Sequence, residues 1–486
     1  MNLQAAAAAA GLSLSEPGPT VTGFAIDHRK VAPGNVFGGF PGARVNGEDF
    51  IPAAVAAGAV AVVARPGAKV EGALHLKVDE PRRLFARIAA GFYQPVPETL
   101  VAVTGTNGKT SCVEMTRQIW RMAGFRAASI GTLGVTTPDE TVSTGLTTPD
   151  IVTFLANLAG LAREGVTHVA YEASSHGLDQ FRNEGPRVAA GAFTNLSRDH
   201  LDYHADMDAY FAAKMRLFDE VVADNGTAVI WADDAWSPRA IAHARQRGLR
   251  LFTVGETGAD LKLLARRPGL LGQELDVALD GQTRKLNLPL IGAYQAANAL
   301  VAASLALATG IPAATVLDSL TRLQPVRGRL ERAVLTRAGA PVYVDYAHTP
   351  DALAAAIAAL RPHVSGKLIV VFGAGGDRDT GKRPDMGRVA AEQADVAIVT
   401  DDNPRGEDAG EIRAAILAGC GDNEIIEIPG RREAIAKAVM IAGKGDIVLI
   451  AGKGHEQGQI VGRGEDMRVL PFDDVTVASE CAGEMP

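Results

Sequence analysis

Cysteine is scarce: the 486 residues hold three, Cys112, Cys420 and Cys481. An odd number, far apart and without a C-x-x-C spacing, excludes a disulfide framework and offers no zinc-site pattern, so a reducing cytoplasm is the expected compartment. Excess positive charge is lacking as well. Forty-eight Lys and Arg against 56 Asp and Glu leave a net charge of −8, which repels a phosphodiester backbone and argues against nucleic acid as a partner. The longest apolar run, residues 51–64, is rich in Ala and Gly and falls short of the about 20 residues that cross a bilayer, so no membrane partner is expected. The alanines Ala5 to Ala10 lack the charged and apolar regions of a secretory signal and read as the first turns of a helix.

With 47% hydrophobic and 21% charged residues, the composition is that of an ordinary globular chain. Its length suggests about three domains. A proline cluster at residues 94–97 reads as a linker, and a second break falls at residues 324–328, giving expected domains 1–98, 99–326 and 327–486. Strand and helix patterns alternate beyond the first break, which predicts an α/β fold with a mainly parallel sheet. After the second break, β-branched runs at 342–344, 368–372, 396–399 and 447–450 are mostly followed closely by Gly, Asp or Thr, as buried strands ending at a functional edge are.

The sharpest motif is Thr104-Gly105-Thr106-Asn107-Gly108-Lys109-Thr110-Ser111, between a strand at 99–103 and a helix expected to begin near Cys112. Its glycines let backbone N–H groups turn inward onto phosphate oxygens, Lys109 reaches the β- and γ-phosphates, and Thr110 offers a hydroxyl to Mg²⁺. Only Thr106 and Asn107 separate Gly105 from Gly108, so the loop is a shortened phosphate loop. A second glycine cluster, Gly373 to Gly376, has Arg378 where a dinucleotide fingerprint needs its last glycine. Glu172 ends a short strand beside the phosphate loop, where a carboxylate suits Mg²⁺. Asp199 and His200 follow the next strand, at 191–194, and either could complete a metal site or be a surface loop residue. Lys214, in a helical stretch over 207–222, reads locally as a solvated lysine.

Together with Glu-Ala-Ser-Ser-His-Gly at 172–177, Asn-Leu-Ser-Arg-Asp-His-Leu-Asp-Tyr-His at 195–204, Asp-Tyr-Ala-His-Thr-Pro at 345–350, Asp-Asn-Pro-Arg at 402–405 and Gly-Lys-Gly-His-Glu at 452–456, the phosphate loop makes the chain resemble the Mur ligases from about residue 20 onward. The resemblance implies an N-terminal domain for a uridine nucleotide, a central ATPase domain and a C-terminal Rossmann-like domain that brings an amino acid. It implies ATP as co-substrate, Mg²⁺, and ligation through an acyl phosphate in cytoplasmic peptidoglycan precursor synthesis, by a monomer acting on small molecules.

Carried over by residue, Thr110, Glu172, His200 and Lys214 resemble the metal site, with Lys214 at the position of a lysine that CO₂ converts to a carbamate. Lys109, Lys214, His200 and Glu172 form the implied catalytic set. Gly105 to Ser111, Asn298, Arg329 and Asp345 resemble the ATP-binding positions. Thr147, Thr148, Ser174, Gln180 and Arg182 look like residues holding a muramoyl-dipeptide, while His28 stands where the family usually has a serine contacting the uridine nucleotide. Arg378, Asp402, Asn403, Pro404, Arg405, Gly452 and Glu456 resemble an amino-acid site. Family members like this chain add diaminopimelate or lysine, and the Arg405 fork suits the second carboxylate that only diaminopimelate carries. Another ligase with the same loop, such as folylpolyglutamate synthase, would have no use for Arg405 there, and a nucleotide-switch protein would use the loop without acyl chemistry.

Overall fold

The computed structural model describes the chain except for residues 15–17, 43–44, 143–146, 202, 270, 378, 485 and 486. It is α/β with mainly parallel sheets. Two units divide it: one comprises Met1–Leu263, Ala278–Thr283 and Asn298–Leu320, the other Leu264–Val277, Arg284–Ala297 and Thr321–Pro486.

In the first unit the alanine-rich start forms the helix Leu3–Ala9, capped by the Asn2 side chain. It lies so close to the helix Pro81–Phe92 that a methyl at Gly91 would sit 1.9 Å from the Ala6 carbonyl oxygen. Four short parallel strands, Gly23–Ala25, Asn35–Gly38, Ala61–Ala64 and Leu74–Lys77, make the first sheet. The larger sheet is built around Thr99–Thr104, whose Val101, Ala102 and Val103 are fully buried. Runs so apolar on both faces are what a doubly covered parallel strand requires.

Parallel neighbours flank this strand on each side. His168–Glu172 pairs with it so that Val103 faces Glu172, and Val188–Phe193 so that Thr104 faces Phe193. Ala127–Gly131 lies beyond the former, and Val222–Trp231 and Arg250–Gly255 beyond the latter. The chain thus departs from Thr99–Thr104 toward both edges of the sheet, and such a switch point opens a crevice at the carboxyl ends of the strands. Glu172 and the phosphate loop share that edge.

Several element limits differ from those expected; the strand read at 191–194, for one, is Val188–Phe193. The helix after the loop starts at Lys109 rather than near Cys112, so the loop's own lysine is its first residue. The stretch read as one helix over 207–222 is the helix Met207–Arg216 and a π-turn, Leu217–Val221, after which Val222 already pairs with Val188. Val222, a β-branched residue, takes up the extended form it favours.

The second unit holds a six-stranded sheet ordered Glu331–Leu335, Pro341–Asp345, Ile447–Ala451, Leu368–Phe372, Val396–Val399 and Ile426–Glu427, parallel except at its first pair. Asp345 stands beside Ala451, Val371 beside Ile450 and Phe372 beside Val399. Loops that begin at Tyr346, Gly373, Thr400 and Gly452 therefore leave from one edge. Apolar side chains of both sheet faces are buried under helices, among them Leu353, Met386 and Ile416 on one side and Ile435, Val439 and Ala478 on the other.

Candidate active site

The phosphate loop depends on two glycines for different reasons. Gly105 has φ +150°, and a methyl there would meet the Thr194 hydroxyl at 1.9 Å. Gly108 has φ +86° and faces the Asn298 side-chain oxygen at 2.3 Å by the same measure. A side chain at either would both strain the backbone and clash. The loop is braced by the segment following Val188–Phe193. Asn107 N–H donates to Asn195 Oδ1 at 2.9 Å, Asn195 Nδ2 donates back to the Asn107 carbonyl at 3.1 Å, and the Thr194 hydroxyl donates to that carbonyl at 2.6 Å. Thr106 N–H donates to the Asn195 carbonyl at 3.0 Å. Thr194 and Asn195 had no assigned role in the sequence reading, although the Asn-Leu-Ser-Arg-Asp-His run directly after a strand marks them. Thr110 and Ser111 are buried in the first turn of the helix Lys109–Met122.

Lys109 folds back on its own loop, its Nζ donating to the carbonyls of Gly105 at 2.9 Å and Thr106 at 2.8 Å. Lys214 is not the solvated lysine its local sequence suggested. It is 1% exposed, donates to the Gly105 carbonyl at 2.8 Å, and sits 4.3 Å from the centre of the Tyr210 ring. Burial, reinforced by the positive charge of Lys109, holds its amine well below the usual lysine range.

Glu172, 2% exposed, is held at Oε1 by the Thr132 N–H at 2.7 Å, and its Oε2 lies 3.2 Å from the Thr132 hydroxyl. Gly131 permits that approach, since a methyl on it would reach Oε1 at 2.3 Å. The Thr132 hydroxyl is also 3.1 Å from that of Thr147. Thr148 donates to the Glu172 carbonyl at 2.9 Å and accepts from Ser174 N–H at 3.1 Å. Arg182 donates to the Thr148 carbonyl at 2.9 Å and to Gln180 Oε1 at 2.7 Å. One bonded chain therefore unites Thr147, Thr148, Ser174, Gln180 and Arg182 beside the end of the Glu172 strand. Thr132, which links it to the carboxylate, was not read from the sequence.

His200 has φ +54°, and its side chain is 43% exposed. Its ring packs edge-on against His176 at 4.8 Å and lies 6.0 Å from the ring of Tyr210, over which Lys214 also sits. Among the described residues no three His, Cys, Asp or Glu converge as a ready metal site. The oxygen groups of Thr110 and Glu172 do fit Mg²⁺, which keeps several waters and binds through one or two carboxylates plus substrate phosphates; an unmodified Lys214 amine does not.

His28 lines a cavity of about 670 Å³ with Asp27, Arg29, Phe40, Phe50 and Arg82. Its ring stacks on Phe50 at 4.4 Å with the planes 1° apart. Arg29 pairs with Asp27 at 2.7 Å and holds that carboxyl down to about 2.

In the second unit Asp345 accepts from Leu330 N–H at 2.7 Å and Ala347 N–H at 2.9 Å, with burial pushing its carboxyl above the usual range. The Arg329 guanidinium lies over the Tyr346 ring at 4.7 Å. Arg405 has φ +52°; its N–H donates to the Ile460 carbonyl at 3.0 Å and its guanidinium to the Gly376 carbonyl at 2.9 Å. Asn403 Nδ2 donates to Glu456 Oε2 at 2.7 Å. Gly452 has φ +120° and leaves space for Asp402, whose Oδ2 a methyl would meet at 2.5 Å. Pro404 joins these residues in the turn, and Arg378 lies outside the described residues. Two charged groups that the sequence reading passed over stand behind the site: Lys453, fully buried, and Arg431, which binds Asp474 through two contacts of 2.7 Å.

Known proteins resemble this chain along nearly its whole length. Residues 20–93 match the model of the Mur ligase family catalytic domain, 103–306 that of the Mur ligase middle domain, and 328–454 that of the Mur ligase glutamate ligase domain. The UDP-N-acetylmuramoyl-L-alanyl-D-glutamate--2,6-diaminopimelate ligase of Zymomonas mobilis subsp. mobilis is 61% identical over 470 residues, 97% of this chain and 96% of that one. The protein of the same name from Bradyrhizobium diazoefficiens is 52% identical, over 93% of each. A solved structure of a ligase of that name is 32% identical and superposes with a TM-score of 0.74 over 99% of both chains. Identity on this scale along nearly the whole length, on top of a phosphate loop bound to a buried lysine, means that the chain belongs to the Mur ligase family.

Proposed function

We propose that the protein is an ATP-dependent amide-forming ligase that joins meso-2,6-diaminopimelate to UDP-N-acetylmuramoyl-L-alanyl-D-glutamate in peptidoglycan precursor synthesis. The observation that carries this reading is the convergence of the Lys109 and Lys214 amines on the Gly105 carbonyl of a glycine loop, at the sheet edge that Glu172 shares. The relatives that bear this activity in their names span nearly the whole chain.

A carboxylate is a poor acyl donor because its leaving group would be oxide. Transfer of the γ-phosphoryl group of ATP to the side-chain carboxylate of D-glutamate makes an acyl phosphate and releases ADP. The amine of diaminopimelate then attacks the acyl carbon, the bond to phosphate breaks, and phosphate and the amine proton leave. The N–H groups of Gly105 to Ser111 cradle the ATP phosphates, and Lys109 stabilises charge on the group in transfer. Asn298, Arg329 and Asp345 are the further residues proposed for ATP.

Lys214 is proposed to add its neutral amine to CO₂, forming a C–N bond and losing a proton, which turns a neutral nitrogen into a group with an anionic oxygen donor. Mg²⁺, when bound, neutralises phosphate charge, and Thr110, Glu172, His200 and carbamylated Lys214 are the residues proposed to hold it. The set from Thr147 to Arg182 would hold the dipeptide, the His28 cavity the uridine nucleotide, and Asp402 to Arg405 with Arg378, Gly452 and Glu456 the amino acid. Domains 1–98, 99–326 and 327–486, a cytoplasmic location and a monomeric state belong to the same proposal.

The test is ADP release measured with and without each acceptor, over meso-diaminopimelate, its LL isomer and L-lysine. Release that needs both the uridine substrate and the meso isomer is expected. Release independent of the uridine substrate, or a preference for lysine, would overturn the reading.

A further inference from the structure

Lys453 is a lysine with no exposed surface, which costs free energy unless its ammonium is met by acceptors. Its Nζ donates to Asn403 Oδ1 at 2.8 Å and lies 3.5 Å from Glu456 Oε2. Asn403 Oδ1 takes a second donor, the Ile460 N–H, at 2.9 Å. An amide oxygen has two lone pairs, and both are used. The Asn403 amide therefore has one orientation, with Nδ2 toward Glu456 Oε2 at 2.7 Å. Reversing it would set an NH₂ group against an ammonium and a backbone N–H.

This orientation divides the labour of the site. Asn403 faces a ligand as a donor and has no oxygen left to receive an ammonium, so acceptance falls to the carboxylates of Glu456 and Asp402. Arg431, a donor only, is engaged elsewhere: Asp474 binds it on two sides and the Ala451 carbonyl takes a further N–H at 3.1 Å, while its Nη1 lies 4.0 Å from Asp402 Oδ2. The hairpin strand Gly458–Val461 locks the same turn, through Ile460 and through Gln459 Nε2, which donates to the Asp402 carbonyl at 2.6 Å.

We infer that Lys453 is a positioning residue for the amino-acid substrate: it fixes the Asn403 amide and steadies Glu456 so that the site offers a donor at one point and a carboxylate at the next. This inference rests on the amino-acid site of the proposed function. Its consequence is selective, since the contacts that Lys453 makes lie in that site.

The experiment compares Lys453→Met and Lys453→Gln with the wild type, measuring KM for diaminopimelate, KM for ATP and kcat. The Met variant is expected to raise KM for diaminopimelate about tenfold or more, the size of losing one charge-assisted hydrogen bond, with ATP KM and kcat within about twofold. The Gln variant keeps a neutral donor and should fall between. An unchanged diaminopimelate KM in the folded Met variant, or equal rises for both substrates, would overturn the inference. If the wild type uses another amino acid, the proposed function fails and the same comparison applies to that amino acid. If no amino acid supports turnover, a melting-temperature double-mutant cycle of Lys453→Met with Asn403→Leu decides, non-additive shifts supporting the bond and additive ones overturning it. If the Met variant does not fold, the kinetics of the Gln variant decide, an unchanged diaminopimelate KM overturning the inference.

Discussion

Lys109 and Lys214 donate to the same oxygen, the Gly105 carbonyl, at 2.9 and 2.8 Å. Two ammonium groups on one buried carbonyl repel each other, and the more deeply buried of the two is the one whose charge is least supported. The arrangement favours a neutral Lys214 beside a charged Lys109, which gives the pair different chemistry from identical side chains.

If Lys214 works as a carbamate, Lys214→Ala should nearly abolish acyl-phosphate formation, and added acetate or formate should restore part of it by bringing oxygen donors into the vacated space. Lys214→Arg should not respond, because a permanent cation fills the space and repels the metal. Activity of the variants with and without the acid is the measurement. A fully active Ala variant would remove Lys214 from the mechanism.

This lysine also marks where the sequence stopped being legible. Strands 368–372 and 396–399 were readable to the residue, because buried β-branched runs have few alternatives. Glu172 was readable because a strand end beside a phosphate loop is a recognisable place. Lys214, by contrast, sits on a helix whose local pattern says nothing of burial, and its partner Gly105 is 109 positions away. Thr132, Asn195 and Lys453 escaped because each acts through a group brought near by the fold, although Asn195 and Lys453 lie inside motifs that marked their segments. Resemblance had assigned Lys214 to the metal site, where its local spacing had assigned it to solvent.

Asn195 braces the phosphate loop with both ends of its amide. Asn195→Ala removes one partner each from the Asn107 N–H and carbonyl, the latter keeping the Thr194 hydroxyl, at a net cost of about 0.5–1.5 kcal/mol per bond. The expected result is a fall in kcat/KM for ATP of about tenfold or more, with the affinity for the uridine substrate retained. Steady-state kinetics with ATP varied, beside a direct binding measurement for the uridine substrate, checks it. An unaffected ATP profile would mean that the loop keeps its shape without the brace.

His455 provides a pH signature. Burial, with Arg329 and Arg327 nearby, brings its imidazole down to about 4 from the usual 6.5. Between these values the unfolded chain binds a proton that the folded chain refuses, so stability is full above about 6.5 and declines as the pH falls toward 4. Replacing His455 with Gln should flatten the decline of melting temperature across that window while leaving the neutral-pH value nearly unchanged. A decline as steep in the variant would assign it to other groups.

Arg405 combines a functional expectation with a backbone one, and the two can be separated. Its φ of +52° is unfavourable for a side-chain-bearing residue, and its N–H is tied to Ile460. Arg405→Gly deletes the guanidinium while relieving the backbone, whereas Arg405→Ala deletes it and keeps the strain. Both variants should raise KM for diaminopimelate, since losing one member of a buried charge pair costs about 2–5 kcal/mol, and both should leave KM for ATP little changed. Arg405→Lys should recover only part of the loss, because an ammonium does not reproduce the two-pronged fit to a carboxylate. The Gly variant should melt at or above the Ala variant. If Gly restored the diaminopimelate KM as well, the arginine would be acting on the turn and not on the substrate.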